Sequence, residues 1–161
     1  METQGLLNCK KIQAVYLRRF LRYIPILIAV GAILALTLMN TPKNVAMSEE
    51  FRKLLVRACE RFGICADAWW NSSSGIRKLG HIIEYGMLGI ASGIAFINSD
   101  RWGKGTVAAL VLCMAVSVLD QSVKVLVPIR HFDWTDIPLD IVGSLVGIGI
   151  VVIIKMMVKR S

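Results

Sequence analysis

The sequence predicts an all-α membrane protein. We expect a polytopic helical bundle of about four transmembrane helices, with one amphipathic helix in the first outer loop. Hydrophobic residues make up 55% of the 161 positions, and the mean hydropathy of +0.61 is too high for an ordinary soluble domain. Four apolar segments each approach the ~20 residues that cross a bilayer core. The length suits one domain, residues 1–161.

The net charge of +8 fits the same class of protein. Lys and Arg residues flank the apolar segments, where such side chains anchor helix ends and contact anionic lipid head groups. They do not alternate with stacking aromatic residues, the pattern that favours nucleic-acid binding. We therefore expect membrane lipids as partners and no nucleic acid.

The first apolar segment runs from about Tyr23 to Met39. Basic residues precede it, as in a signal peptide, but no small-x-small cleavage site stands at its end, so a retained signal anchor is predicted. Pro25 falls in the first turn, where proline is tolerated.

The long loop that follows contains an amphipathic pattern from Met47 to Phe62. Ser48 is the expected N-cap, with Glu49 and Glu50 in the first turn. Such a helix would lie on the membrane surface or cap the bundle. Trp69 and Trp70 suit an interfacial belt. The run from Ser72 to Gly75 is predicted to be a flexible joint before the second membrane helix.

Three further apolar segments complete the bundle, at about 81–97, 105–127 and 137–157. Counting Lys and Arg near the helix ends places the N-terminal tail, the loop Asn98–Lys104 and the C-terminal end on one side, which is therefore predicted to be cytoplasmic in the cell membrane. The loop from Asn40 to Leu79, on the other side, is also basic and therefore argues against this orientation.

The cysteines indicate neither a metal site nor a cofactor. Cys9 and Cys113 are expected to be free thiols. Cys59 and Cys65 share one loop, and either form a disulfide or remain unpaired. Two cysteines without a nearby histidine are a poor metal site.

Most of the polar residues within the apolar segments belong to one membrane face, whatever the orientation. The second helix descends from this face, the third climbs back to it, and the fourth starts there, so side chains at these ends converge. Ionisable groups in membrane helices are costly and usually pair inside the bundle. Glu84, Asp120 and Asp140 are the deepest acids, with Lys124 and Arg130 as expected partners. The predicted polar cluster comprises Lys78, His81, Glu84, Tyr85, Asp120, Lys124, Arg130, Asp133, Asp136 and Asp140.

Each member also has a structural explanation. Asp136 could be the N-cap of the fourth helix, and Asp140 could favour the positive helix terminus. Asp120 and Lys124, four residues apart, could form a structural ion pair. Glu84 has the weakest structural explanation, since only His81 lies at its level on the same helix. The glycines at 86, 89, 93, 143 and 147 are read as helix packing sites.

Two blocks carry a family resemblance. The first is Lys78-x-x-His81-x-x-Glu84-Tyr85-x-x-Leu88-Gly89. The second is Asp120-x7-Pro128-x-Arg130-x-Phe132-Asp133-x-x-Asp136-x6-Gly143-x3-Gly147. In this order and spacing they resemble the VanZ-like family. The chain departs from the family pattern where Gln121 replaces Glu, Lys124 replaces Gln, Ile129 replaces Gly and Asp140 replaces Asn.

The resemblance implies a bacterial envelope protein, and named members of the family are associated with resistance to glycopeptides such as teicoplanin. One hypothesis is a non-enzymatic protein whose cluster binds a lipid-linked precursor, a glycopeptide or a partner protein through Lys78, Lys124 and Arg130. The alternative is a membrane-embedded enzyme with a lipid-linked substrate, in which His81 and Glu84 form an acid–base pair. A proton-coupled transporter is a weaker third hypothesis. No catalytic residue is assigned, and an oligomer is left open.

Overall fold

A computed structural model describes residues 20–38, 41–61, 63, 73–97, 102–127 and 132–160. Within these ranges the chain forms five helices and no strand. Their bounds are α1, Ile24–Leu38; α2, Thr41–Arg61; α3, Ser73–Phe96; α4, Trp102–Lys124; and α5, Asp136–Arg160. The predicted fold class, a membrane helical bundle, is confirmed.

Three of these helices are long and apolar enough to cross a membrane, over Gly75–Phe96, Trp102–Lys124 and Asp136–Lys159. The first apolar segment forms the 15-residue helix α1. At 1.5 Å per residue it is about 22 Å long, which is shorter than the ~30 Å hydrocarbon core.

Two predicted helix starts were wrong. Helix α2 begins at Thr41, so Ser48 lies inside the helix and is not its N-cap. Pro42 explains the earlier start, because proline lacks a backbone N–H and its fixed φ suits the first turn. Helix α3 begins at Ser73, so Ser73 and Gly75 belong to its first turn instead of a flexible joint.

The ends of α4 also differ from prediction. The helix starts at Trp102, which places Lys104 within it, and stops at Lys124 instead of Val127. The next residues form tight turns, in which Val127 N–H donates to the Lys124 carbonyl over 3.1 Å. Pro128 follows in the sequence, and the residue before a proline is disfavoured in a helix.

Helices α3 and α5 make the most extensive contact in the bundle. Small residues make this approach possible. A Cβ at Gly147 would meet the backbone of Gly86 and Ile90, and one at Gly89 would meet the backbone of Ser144. The two backbones therefore touch directly, and this contact fixes α5 against α3.

Apolar side chains fill the rest of the bundle. Ile26 and Ile33 of α1 pack against Leu88 of α3 and Val116 of α4. At one end of the bundle, Lys155 of α5 donates a hydrogen bond to the Ile97 carbonyl just after α3. Many apolar side chains of α1, α4 and α5 face outward, as expected for surfaces in contact with lipid.

Replacing Gly147 by alanine should destabilise the bundle, whereas Gly149→Ala on the same helix should not. The methyl group of an alanine at position 147 would press on backbone atoms that cannot rotate away, while nothing lies within 4 Å of a Cβ at position 149. Overpacking of this kind costs about 1–3 kcal/mol. Thermal unfolding of the two variants in detergent micelles measures the difference. Equal transition temperatures would contradict the proposed backbone contact.

Candidate functional site

Four helix ends meet at one end of the bundle, which we call the charged end. They are the first turns of α3 and α5 and the last turns of α1 and α4. This follows from chain direction, since α3 and α5 run away from the charged end while α1 and α4 run toward it. The opposite end carries the contact between Lys155 and Ile97.

His81 lies buried between two carboxylates of α5 at the charged end. Its Nδ1 is 3.0 Å from Asp140 Oδ1, and its Nε2 is 3.3 Å from Asp136 Oδ2. Asp136 and Asp140 are four residues apart, so both project from one face of α5. Both ring nitrogens of His81 are therefore engaged by acids.

Lys124 connects α4 to the same group of buried charges. Its Nζ is 3.1 Å from Asp120 Oδ2, 3.3 Å from Asp136 Oδ2 and 3.4 Å from His81 Nε2. The Asp136 Oδ2 atom is shared by Lys124 and His81 and joins α3, α4 and α5. We call His81, Asp120, Lys124, Asp136 and Asp140 the buried network.

Two hydroxyl groups complete the buried network. Ser117 Oγ donates to Asp140 Oδ2 over 2.6 Å, and the Thr37 hydroxyl donates to Asp120 Oδ1. Sequence reasoning missed both residues. Ser117 lies three residues before Asp120 on the same helix face, and this spacing could have identified it as a member of the polar cluster. Thr37 carries no such signal, because only the packing of α1 against α4 brings it to Asp120.

A partly exposed rim surrounds the network where it meets the loop before α5. Arg77, which the sequence analysis did not select, contacts Asp133 Oδ2 at 2.9 Å and Asp136 Oδ1 at 3.7 Å, and its side chain is 57% exposed. The hydroxyl and backbone N–H of Thr135 both donate to Asp133 and lower the pKa of its carboxyl. Asp133 therefore remains ionised opposite Arg77. We call Arg77, Lys78 and Asp133 the rim.

Several predicted partnerships do not form. His81 contacts Asp136 and Asp140, and no hydrogen bond or ion pair joins it to Glu84, the partner expected from the sequence. Lys78 and Glu84 are half-buried and have no hydrogen bond or ion pair with any other residue that the structure describes. Arg130 lies outside the described residues.

Two uncharged polar side chains are also fully buried at this level. The Tyr85 ring stacks on His81 with centroids 6.4 Å apart. Its hydroxyl and both amide atoms of Gln121 have no hydrogen-bond partner within the described ranges. Burying polar groups without partners is costly. Tyr85 thus contacts the buried network through its ring, which stacks on the imidazole of His81.

Two of the four departures noted in the sequence, Lys124 and Asp140, have a joint explanation. The extra cation, Lys124, lies near Nε2 of His81, and the extra anion, Asp140, lies at Nδ1. The two substitutions flank one imidazole with opposite charges, so the network keeps its charge balance.

Comparison with known proteins identifies the family of the chain. A family model described as VanZ/LLP1 matches residues 21–155. The chain belongs to the VanZ/LLP1 family. No curated protein and no solved structure matches it. The family match covers α1 to α4 and α5 as far as Lys155, and it includes every residue of the buried network and the rim of this VanZ/LLP1 protein.

Lys124→Gln should destabilise this VanZ/LLP1 protein strongly, because it leaves Asp120 and Asp136 buried without their cation. Removing one partner of a buried pair costs about 3–5 kcal/mol. The double variant Lys124→Gln with Asp120→Asn should recover part of the loss, since it removes both charges of the pair. Thermal unfolding in detergent provides the measurement.

Lys104→Gln is the matched control, because Lys104 is an exposed cation on the same helix. It should leave the unfolding transition nearly unchanged. If Lys124→Gln costs no more than Lys104→Gln, the lysine does not neutralise the buried acids.

Proposed function

We propose that this VanZ/LLP1 protein is a small membrane protein of the bacterial cell envelope that binds an anionic polar or lipid-linked ligand at the charged end. The observation that carries the proposal is the rim, where the exposed guanidinium of Arg77 stands beside a buried network whose charged groups are already paired.

The buried network is suited to holding the site in shape. Lys124 is engaged by two carboxylates and is nearly inaccessible. Extracting it to meet a ligand would leave those acids unpaired in a low-dielectric interior, which is strongly unfavourable. This changes the sequence-based hypothesis, in which Lys124 was itself a ligand donor.

Contact with the ligand therefore falls to the rim. Arg77 carries five N–H donors, and among the described residues its guanidinium donates to the carboxylate of Asp133, while Asp136 Oδ1 at 3.7 Å is too far to accept a hydrogen bond. A phosphate or carboxylate can accept the remaining donors in bidentate geometry. Lys78 adds a second cation next along the chain. Arg130 is the third candidate, carried by the family pattern and by its place in the loop before α5.

The distribution of basic residues supports an outward-facing rim. The start of α1, the segment around Lys104 and the end of α5 lie at the end of the bundle opposite the charged end. Together with the tail that precedes α1 in the sequence, these segments carry slightly more Lys and Arg than the rest of the chain. We therefore place both termini in the cytoplasm. A rim on the outer face would meet glycopeptides or lipid-linked wall precursors, the compounds to which the family resemblance points.

An enzyme acting on a lipid-linked substrate is the second candidate. Glu84 favours it, because a half-buried acid without a described partner lies three residues from His81. The engagement of both His81 ring nitrogens argues against it, since neither is available to accept a substrate proton. We therefore prefer the binding function.

Arg77→Gln and Lys78→Gln should each weaken binding of a polyprenyl phosphate to the full-length protein in nanodiscs. Loss of one hydrogen bond to a charged group corresponds to about tenfold in affinity. Lys104→Gln, at the opposite end of the bundle, should bind like the unchanged protein. Titration with the labelled lipid measures the affinities, and equal affinity for all proteins would overturn the assignment to the rim.

The same variants, with Arg130→Ala, should lower glycopeptide resistance when they complement a deletion strain while accumulating normally in the membrane. Full resistance in all of them would reject an anion-binding role. Turnover of lipid-linked precursors by the purified protein, abolished by Glu84→Gln, would establish the enzymatic candidate instead.

A further inference from the structure

Helix α2 has an apolar stripe that the bundle does not cover. Met47, Phe51 and Leu54 follow one another at spacings of four and three residues, so they share one helix face. Their side chains are 44%, 36% and 61% exposed. We call these three residues the exposed stripe.

The side of α2 that packs against protein is a different one. Leu55, Val56 and Cys59 are half-buried, and α2 contacts α3 in the bundle. Relative to Leu54 these residues are turned by 100° per position around the helix axis. Among the residues that the structure describes, the exposed stripe thus remains uncovered after α2 has docked.

The connection to α1 starts α2 close to the end of an apolar helix of the bundle. Helix α1 ends at Leu38 and α2 begins at Thr41. Three Cα steps of 3.8 Å keep the two ends within about 11 Å of each other. Since α1 is apolar along its whole length and packs against the membrane-spanning helices, α2 starts close to the membrane at the charged end.

The charges along α2 favour an anionic membrane surface. Glu49 and Glu50 are neutralised by Arg52 and Lys53, at 2.9 Å and 2.8 Å. Arg57 and Arg61 are exposed and form no ion pair within the part of the chain that the structure describes. They lie three and seven residues after Leu54, beside the exposed stripe, while the acid between them, Glu60, is turned away from it.

We propose that α2 is an interfacial helix that inserts the exposed stripe among lipid acyl chains and holds anionic lipid head groups with Arg57 and Arg61. Apolar side chains flanked by basic residues bind anionic membrane surfaces in this way. The long arginine side chains reach past the apolar face to the head groups. This lipid contact is independent of the ligand proposed for the rim.

Photo-crosslinking in the full-length protein tests the proposal. A p-benzoylphenylalanine replaces Leu54 in one variant and Lys53, the neighbour on another face, in the control. Both are reconstituted in vesicles of phosphatidylcholine with phosphatidylglycerol. We expect several-fold more lipid adduct, detected by mass, from the position of Leu54 than from that of Lys53. Equal yields, or adducts between two protein chains at Leu54, would overturn it.

The lipid composition of the same adducts tests the role of Arg57 and Arg61. Arg57→Gln with Arg61→Gln should lower the share of phosphatidylglycerol among the lipids crosslinked at Leu54, toward its share in the vesicle. An unchanged share would overturn the head-group assignment. Far-UV circular dichroism and gel filtration show that each variant is folded before crosslinking, so a lost adduct is not confused with a lost fold.

Discussion

The carboxylate of Asp136 is the contact on which the arrangement of the bundle depends. It meets a cation of α4 and an imidazole of α3 at one oxygen, and it belongs to α5 itself. In a medium that solvates ions poorly, each of these charges can be buried only if the others are in place. The three helices therefore determine one another's position at this end.

The glycine contact and the buried network cooperate. Close approach of α3 and α5 at Gly147 and Gly89 brings Asp140 within hydrogen-bond distance of His81. Bulkier residues would hold the helices apart and separate the charges. Polar pairing and small-residue packing are thus two consequences of the same short distance between helix axes.

The sequence was sufficient for the helix order and for the end of the bundle at which polar groups gather, because both follow from apolar length and chain direction. It did not identify the partners of His81. Glu84 is nearer in sequence, but the rotation of α5 that presents Asp136 and Asp140 is set by tertiary packing. The contact of Thr37 with Asp120 was likewise unpredictable, since it depends on where α1 docks.

Helix starts were the least predictable feature. Ser48 and the serines before Gly75 have the local chemistry of caps and joints, yet α2 begins at Thr41 and α3 begins at Ser73, within the serine run itself. For α2, Pro42 provides an earlier starting point. Helix α3 starts about two turns before residue 81, where the predicted apolar segment begins, and it therefore includes Arg77.

The ion pair between Asp120 and Lys124 has a consequence for how the chain enters the membrane. Both residues belong to α4, so they can neutralise each other within one helix before α5 has been synthesised. Asp140, in contrast, enters with α5, when His81 and Ser117 are already in the bilayer to receive it. Asp120 and Asp140 thus each meet a partner when their helix inserts, whereas His81 of α3 gains its carboxylate partners only when α5 arrives.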